Sequence, residues 1–156
     1  MLPTIFLDID GVLLERGPHG DRLTEGALEL LSFLTEHFEV AWATTHCRDG
    51  DPTHLVTHVL EHGPAEVRDE LRTLLLRVCP TRYRTLKTEL FLDGACEDWL
   101  WIEDSPMAFE LQQLRERGLL ERWVHVDCNR LEGSVQAALA RLEGVLEQRR
   151  EGGAAG

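Results

Sequence analysis

Residues 4–11 read TIFLDIDG, and the fold class follows from this stretch. Thr4 to Ile9 form a short apolar and β-branched run, the mark of a strand buried in a parallel sheet. Asp8 and Asp10 stand at its end. Two carboxylates two residues apart point the same way while the chain stays extended. Gly11 lets the chain turn immediately afterwards. Close carboxylates suit either a metal or a nucleophile beside an acid/base.

Strand-like and helix-like segments alternate outward from there. Leu28, Leu31 and Leu34 predict a helix over 24–37 capped by Thr24. Residues 39–44 (EVAWAT) predict the second strand. A helix follows from Asp51-Pro52 to Gly63, and another covers 65–78 before Pro80. Residues 83–87 are expected to form a short third strand, 99–103 (WLWIE) a fourth and 122–127 (RWVHVD) a fifth. Between the last two, a helix opens at Ser105-Pro106 and closes at Gly118. Val135, Leu139, Leu142 and Leu146 share one side of a final helix over 134–150. The expectation is one α/β domain over residues 1–150, with a mostly parallel sheet covered on both faces and a disordered tail at 151–156.

Composition bounds the function. The chain has 156 residues, 43% of them apolar, which is enough for one domain with a real core. No apolar run approaches the roughly 18–20 residues of a membrane span, and acids stand where a signal peptide needs a basic start. The expectation is a soluble, cytoplasmic protein with no membrane partner. Cys47, Cys79, Cys96 and Cys128 form no C-x-x-C pair, so neither a disulfide framework nor a zinc knuckle is expected. The formal charge is 16 − 28 = −12, which opposes extended nucleic-acid binding.

In such sheets ligands gather at the carboxyl ends of the strands. The residues with chemistry lie there. The second strand runs into Thr44-Thr45-His46, whose hydroxyls suit an anionic oxygen or a turn cap. Lys87, the single lysine among 16 basic residues, follows the expected third strand. A compact ammonium and a guanidinium are not interchangeable at a tight site. The fourth strand runs into Glu103-Asp104-Ser105-Pro106. Adjacent acids at the end of an apolar strand are costly unless paired or metal-bound, and hard oxygen ligands suit Mg²⁺.

A carboxylate pair, a hydroxyl, an ammonium and a second acid pair, in chain order, resemble the four motifs of the haloacid dehalogenase (HAD) superfamily of phosphatases and phosphotransferases. The likeness covers about residues 4–128. It implies a Rossmann-like three-layer sandwich with a five-stranded sheet in the order 5-4-1-2-3. It implies Asp8 as nucleophile, Asp10 as acid/base, and Mg²⁺ held by Asp8, Asp10 through its carbonyl, and Asp104. Thr44, Thr45 and Lys87 would bind phosphoryl oxygens. Glu103 would stand behind the metal ligands, and His46 and Arg48 could touch substrate. Dehalogenase members lack the second Asp, so Asp10 favours phosphate chemistry.

Neither the stretch after Gly11 nor residues 46–86 has room for a large cap domain. An open site suits a macromolecular substrate or one enclosed by an oligomer, and an oligomer is compatible with it. The loop over 15–22 is either a flap near the site or an ordinary surface loop. A phosphotransferase, a phosphatase of nucleic-acid ends and a non-catalytic binding domain of this fold are the alternatives. His54, His58 and His62 recur on one helical face. A partly solvated helix edge is the expectation for them, and a metal site the alternative.

Overall fold

The computed structural model describes residues 2–94, 96–128 and 134–153. Its centre is a parallel sheet of four strands in the order β4-β1-β5-β6: β1 (Thr4–Leu7), β4 (Glu39–Trp42), β5 (Trp99–Glu103) and β6 (Trp123–His125). β1 is internal. Leu7 pairs with Trp42 of β4 on one side and with Ile102 of β5 on the other. A separate antiparallel hairpin, β2 (Leu14–Gly17) and β3 (Gly20–Leu23), follows the turn at Gly11.

Six α-helices cover the sheet among the described residues: α1 (Ala27–His37), α2 (Thr53–His62), α3 (Arg68–Leu75), α4 (Glu89–Leu92), α5 (Ala108–Glu116) and α6 (Val135–Gly153). Alternation along the strands divides the core in two. Ile5, Leu7, Val40, Trp42 and Ile102 pack with apolar residues of α1, α2, α3 and α6. Phe6, Ala41, Trp99 and Trp101 pack with Phe91 of α4 and Leu114 of α5. The expected α/β class and helices on both faces are therefore present, with no large cap among the described residues between β1 and β4 or between β4 and β5. α6 buries the face carrying Val135, Leu139, Leu142 and Leu146, and it continues to Gly153, into the expected tail. Residues 154–156 lie outside the described residues.

The five-stranded order 5-4-1-2-3 is not formed, because residues 83–87 are not a strand. Their backbone is committed elsewhere. The N–H groups of Arg84, Thr85 and Leu86 all donate to the Glu89 carboxylate at 2.9 Å. At the β4 edge only Cys79 makes an isolated bridge with Ala41, through Trp42 N–H to Cys79 O (3.0 Å) and Cys79 N–H to Val40 O (2.8 Å). The cap of α1 is Gly26 in the left-handed region rather than Thr24, whose carbonyl accepts the Ala27 N–H. Asp51 does what its position predicts, accepting the Thr53 N–H at 2.9 Å at the start of α2.

Candidate active site

Three strand ends and one stapled loop converge. The Asp8 N–H still donates to Ile102 O (3.1 Å), so the chain stays extended one residue past β1. This holds the Asp8 side chain, on a residue 4% exposed, beside the end of β5. Gly11 then turns with φ +75°, and its N–H donates to Leu14 O at 2.8 Å. The glycine is needed for a second reason. A Cβ on it would lie 2.2 Å from Asp104 Oδ2, so the absent side chain lets Asp104 close over the loop.

Lys87 reaches the same place without a strand. Its N–H donates to Glu110 Oε1 at 2.8 Å, and the other oxygen of Glu110 accepts the Met107 N–H at 3.0 Å. Glu110 is buried at the start of α5 and so fastens the Lys87 loop to the helix after β5. Phe91, one turn on, anchors α4 with ring-centroid separations of 5.1 Å to Phe6, 4.2 Å to Trp99 and 5.3 Å to Trp101. A four-residue helix has no stability of its own, so tertiary packing must hold it.

The Lys87 ammonium lies 3.0 Å from Asp8 Oδ2 and 2.5 Å from Glu103 Oε2. The second Glu103 oxygen accepts the Ser105 N–H at 3.3 Å. Both oxygens of Glu103 are thereby engaged. Asp8, Glu103 and Asp104 each offer a carboxylate oxygen within 4.8 Å of the others. Two buried carboxylates thus share the Lys87 ammonium, with Asp104 alongside. The pKa values follow this imbalance. Burial pushes Asp8 above its usual value although the Lys87 charge opposes it. Burial, then the Asp8 charge, lifts Glu103 well above the carboxylate range. For Lys87, burial opposes the charged form, but the Asp8 and Glu103 charges outweigh it and raise the pKa.

Asp10 lies on the open side. Its side chain is 56% exposed, and His46 Nε2 lies 3.0 Å from Asp10 Oδ2. His46 belongs to a 3-10 turn, Thr45–Cys47, at the end of β4. The His58 ring of α2 stacks on it with centroids 4.6 Å apart. Burial first, then repulsion from His46 and His62, pushes the His58 pKa down. The i, i+4, i+8 spacing exposes the shared face, but nothing in it shows that His46 stacks there.

Thr44 is fully buried, and its hydroxyl accepts the His46 N–H at 3.4 Å as the cap of the turn. Thr45 is exposed and borders a cleft of about 830 Å³ with His46, Arg48, Arg82, Tyr83 and Arg84. The Arg48 guanidinium sits 5.9 Å from the centroid of the Tyr83 ring, and the Tyr83 hydroxyl has no hydrogen-bond partner among the described residues. The stretch 15–22 is the β2–β3 hairpin. Its Leu14, Arg16 and Asp21 border a second cavity, of about 440 Å³, with Asp10, Gly11 and Asp104. The hairpin therefore stands beside the site, where a flap would be.

No protein-family model matches the chain, and no curated protein or solved structure matches it. Among the described residues, no helix is long and apolar enough to cross a membrane.

Proposed function

We propose that the protein is a phosphomonoester hydrolase of the HAD type that works with Mg²⁺ through an aspartyl-phosphate on Asp8. The observation that carries this reading is the buried Lys87 ammonium spanning Asp8 and Glu103, with Asp104 alongside. One ammonium between the two buried acids Asp8 and Glu103 leaves an excess of negative charge there, which is costly without a further positive partner. A hard divalent ion fits that donor set. Asp8 and Asp104 would hold it with the Asp10 carbonyl, because Glu103 already uses one oxygen on Lys87 and the other on the Ser105 N–H. Mg²⁺ would supply charge neutralisation between the nucleophile and the phosphoryl oxygens.

The chain's own groups do the rest. An Asp8 oxygen attacks phosphorus, the P–O ester bond breaks, and the leaving oxygen takes a proton from Asp10. Asp10 then accepts a proton from water as the water attacks the aspartyl-phosphate. Phosphate departs and the Asp8 carboxylate is regenerated. The Lys87 ammonium favours the ionised form of Asp8, which burial disfavours. The hydrogen bond from His46 aims Asp10. The exposed Thr45 hydroxyl supports a phosphoryl contact better than the buried Thr44 hydroxyl, which caps its own turn. Arg48, Arg82 and Arg84 make the adjoining cleft suited to a substrate with further negative or aromatic groups.

Phosphate release from an aryl phosphomonoester, with Mg²⁺ and with EDTA, tests the reading. Activity is expected only with the metal, and Asp8→Asn is expected to lower it by at least about 10³-fold. An Asp8→Asn protein as active as wild type ends the proposal.

A further inference from the structure

The chain has seven histidines, and three of them (His46, His54 and His58) stack against one another beside Asp10. Asp10, His46 and His58 each present a ligand atom within 4.8 Å of the other two. This group shares no side chain with the Asp8, Glu103 and Asp104 cluster, and its chemistry differs. Two imidazoles and one carboxylate are donors for a borderline transition ion, whereas three carboxylates are donors for a hard one.

We propose that Asp10, His46 and His58 form a second cation site, selective for Zn²⁺ over Mg²⁺, with a fourth position left open. The spacing already approaches what such an ion needs. Ligand bonds of about 2.0–2.1 Å in a tetrahedron put neighbouring donors about 3.3 Å apart. His46 Nε2 and Asp10 Oδ2 stand 3.0 Å apart. The third donor comes from α2, whose buried Leu55 and Val59 fix the helix against the core. The His58 ring makes no hydrogen bond among the described residues, so no existing bond has to break for it to turn toward an ion. His58 and His46 are half-buried and Asp10 is exposed, which leaves the ion a way in. His62 is not one of the three donors: its ring meets the His58 ring edge-on, with centroids 4.7 Å apart, and its Nδ1 donates to the His58 carbonyl at 2.7 Å.

The binding claim needs only these three donors. Its consequence rests on the hydrolase reading. Zn²⁺ would hold the Asp10 carboxylate as its anion, with no proton to give the leaving oxygen, and would therefore inhibit the Mg²⁺-supported reaction.

The experiment is calorimetric titration of Zn²⁺ into the untagged full chain in excess Mg²⁺. It is paired with nitrogen-15 NMR of the histidine rings. One equivalent is expected to bind, shifting the ring nitrogens of His46 and His58. His46→Ala and His58→Ala should each weaken binding by more than about 100-fold, because lost ligands cost more than lost supporting residues do. His62→Ala should leave it within about twofold. Asp8→Asn should bind Zn²⁺ normally even if no phosphatase activity is ever found, which separates the two readings. Three results would overturn the site. One is wild-type protein that takes up no Zn²⁺. Another is ring shifts confined to other histidines. The third is Zn²⁺ binding lost in Asp8→Asn but kept in His58→Ala. The NMR arm uses wild type, so a misfolded variant cannot decide the outcome.

Discussion

Asp8 and Asp10 stand two positions apart on one strand end, yet they belong to regions of opposite character. Asp8 is buried, shares the Lys87 ammonium with Glu103, and has its pKa raised by burial. Asp10 is open to solvent and touches a histidine on a surface turn. The residue type is the same, so the surroundings make the difference. A carboxylate in the closed region is held in one place by neighbours from β5 and the Lys87 loop. A carboxylate at the rim can change partners, which an acid/base group or a ligand shared with a visiting ion requires. Burial costs stability in the first region and little in the second.

Replacing Lys87 by methionine should expose that asymmetry most. It leaves Asp8 and Glu103 together without their cation. Denaturant unfolding is expected to show a loss of about 3–5 kcal/mol, the usual cost of stranding one side of a buried ion pair. A loss below about 1 kcal/mol would mean that water already reaches the pocket. Gly11→Ala acts on the boundary between the regions. Its new Cβ meets Asp104, and its φ of +75° suits glycine alone. A destabilisation of about 1–2 kcal/mol is expected, with Mg²⁺ affinity, measured by calorimetry, weakened at least about tenfold.

The third test uses pH. The Glu103 pKa is raised in the folded state, so folding favours its protonated form. Its contribution is therefore greatest below the ordinary carboxylate range and is lost as pH rises through the raised value. In metal-free buffer, Glu103→Gln should gain stability over wild type as pH climbs from acid to neutral, and added Mg²⁺ should shrink the gap. A gap that narrows with rising pH without metal would contradict the charge imbalance. The smallest stability effect belongs to the rim. Asp10→Asn should change unfolding free energy by less than about 1 kcal/mol, because an exposed pair with His46 is worth little. Turnover of an aryl phosphomonoester should nevertheless fall steeply in the same variant.

The strand ends were legible because burial and chemistry coincide there. An apolar run of four or five residues halted by acids is visible in TIFLDID and in WLWIED. The Lys87 loop was not legible in this way. Its position depends on Glu89 and Glu110, two carboxylates that accept backbone N–H groups from residues 84–88. Nothing in local β propensity reports that a side chain will take the bonds a strand would have used. Residues 83–87 look extended but lack a free ladder. The β2–β3 hairpin was hidden differently. Gly17 and Gly20 flank Pro18-His19 in a turn, yet the strands are only four residues each and carry four charges at paired positions, Glu15 opposite Arg22 and Arg16 opposite Asp21. His46 meeting His58 is a tertiary contact between two elements, and no single-element periodicity encodes it.

The central place of β1 has a consequence for the chain while it is being made. Of the four strands of the parallel sheet, β1 leaves the ribosome before its neighbours. One neighbour, β4, starts at Glu39, but the other, β5, starts only at Trp99. Throughout that interval the segment TIFL keeps one edge unpaired, and a bare apolar edge is a template for another chain. Asp8 and Asp10 border that segment as charged gatekeepers against such pairing. Negative charge thus stands beside the strand well before the residues that complete the pocket have been synthesised.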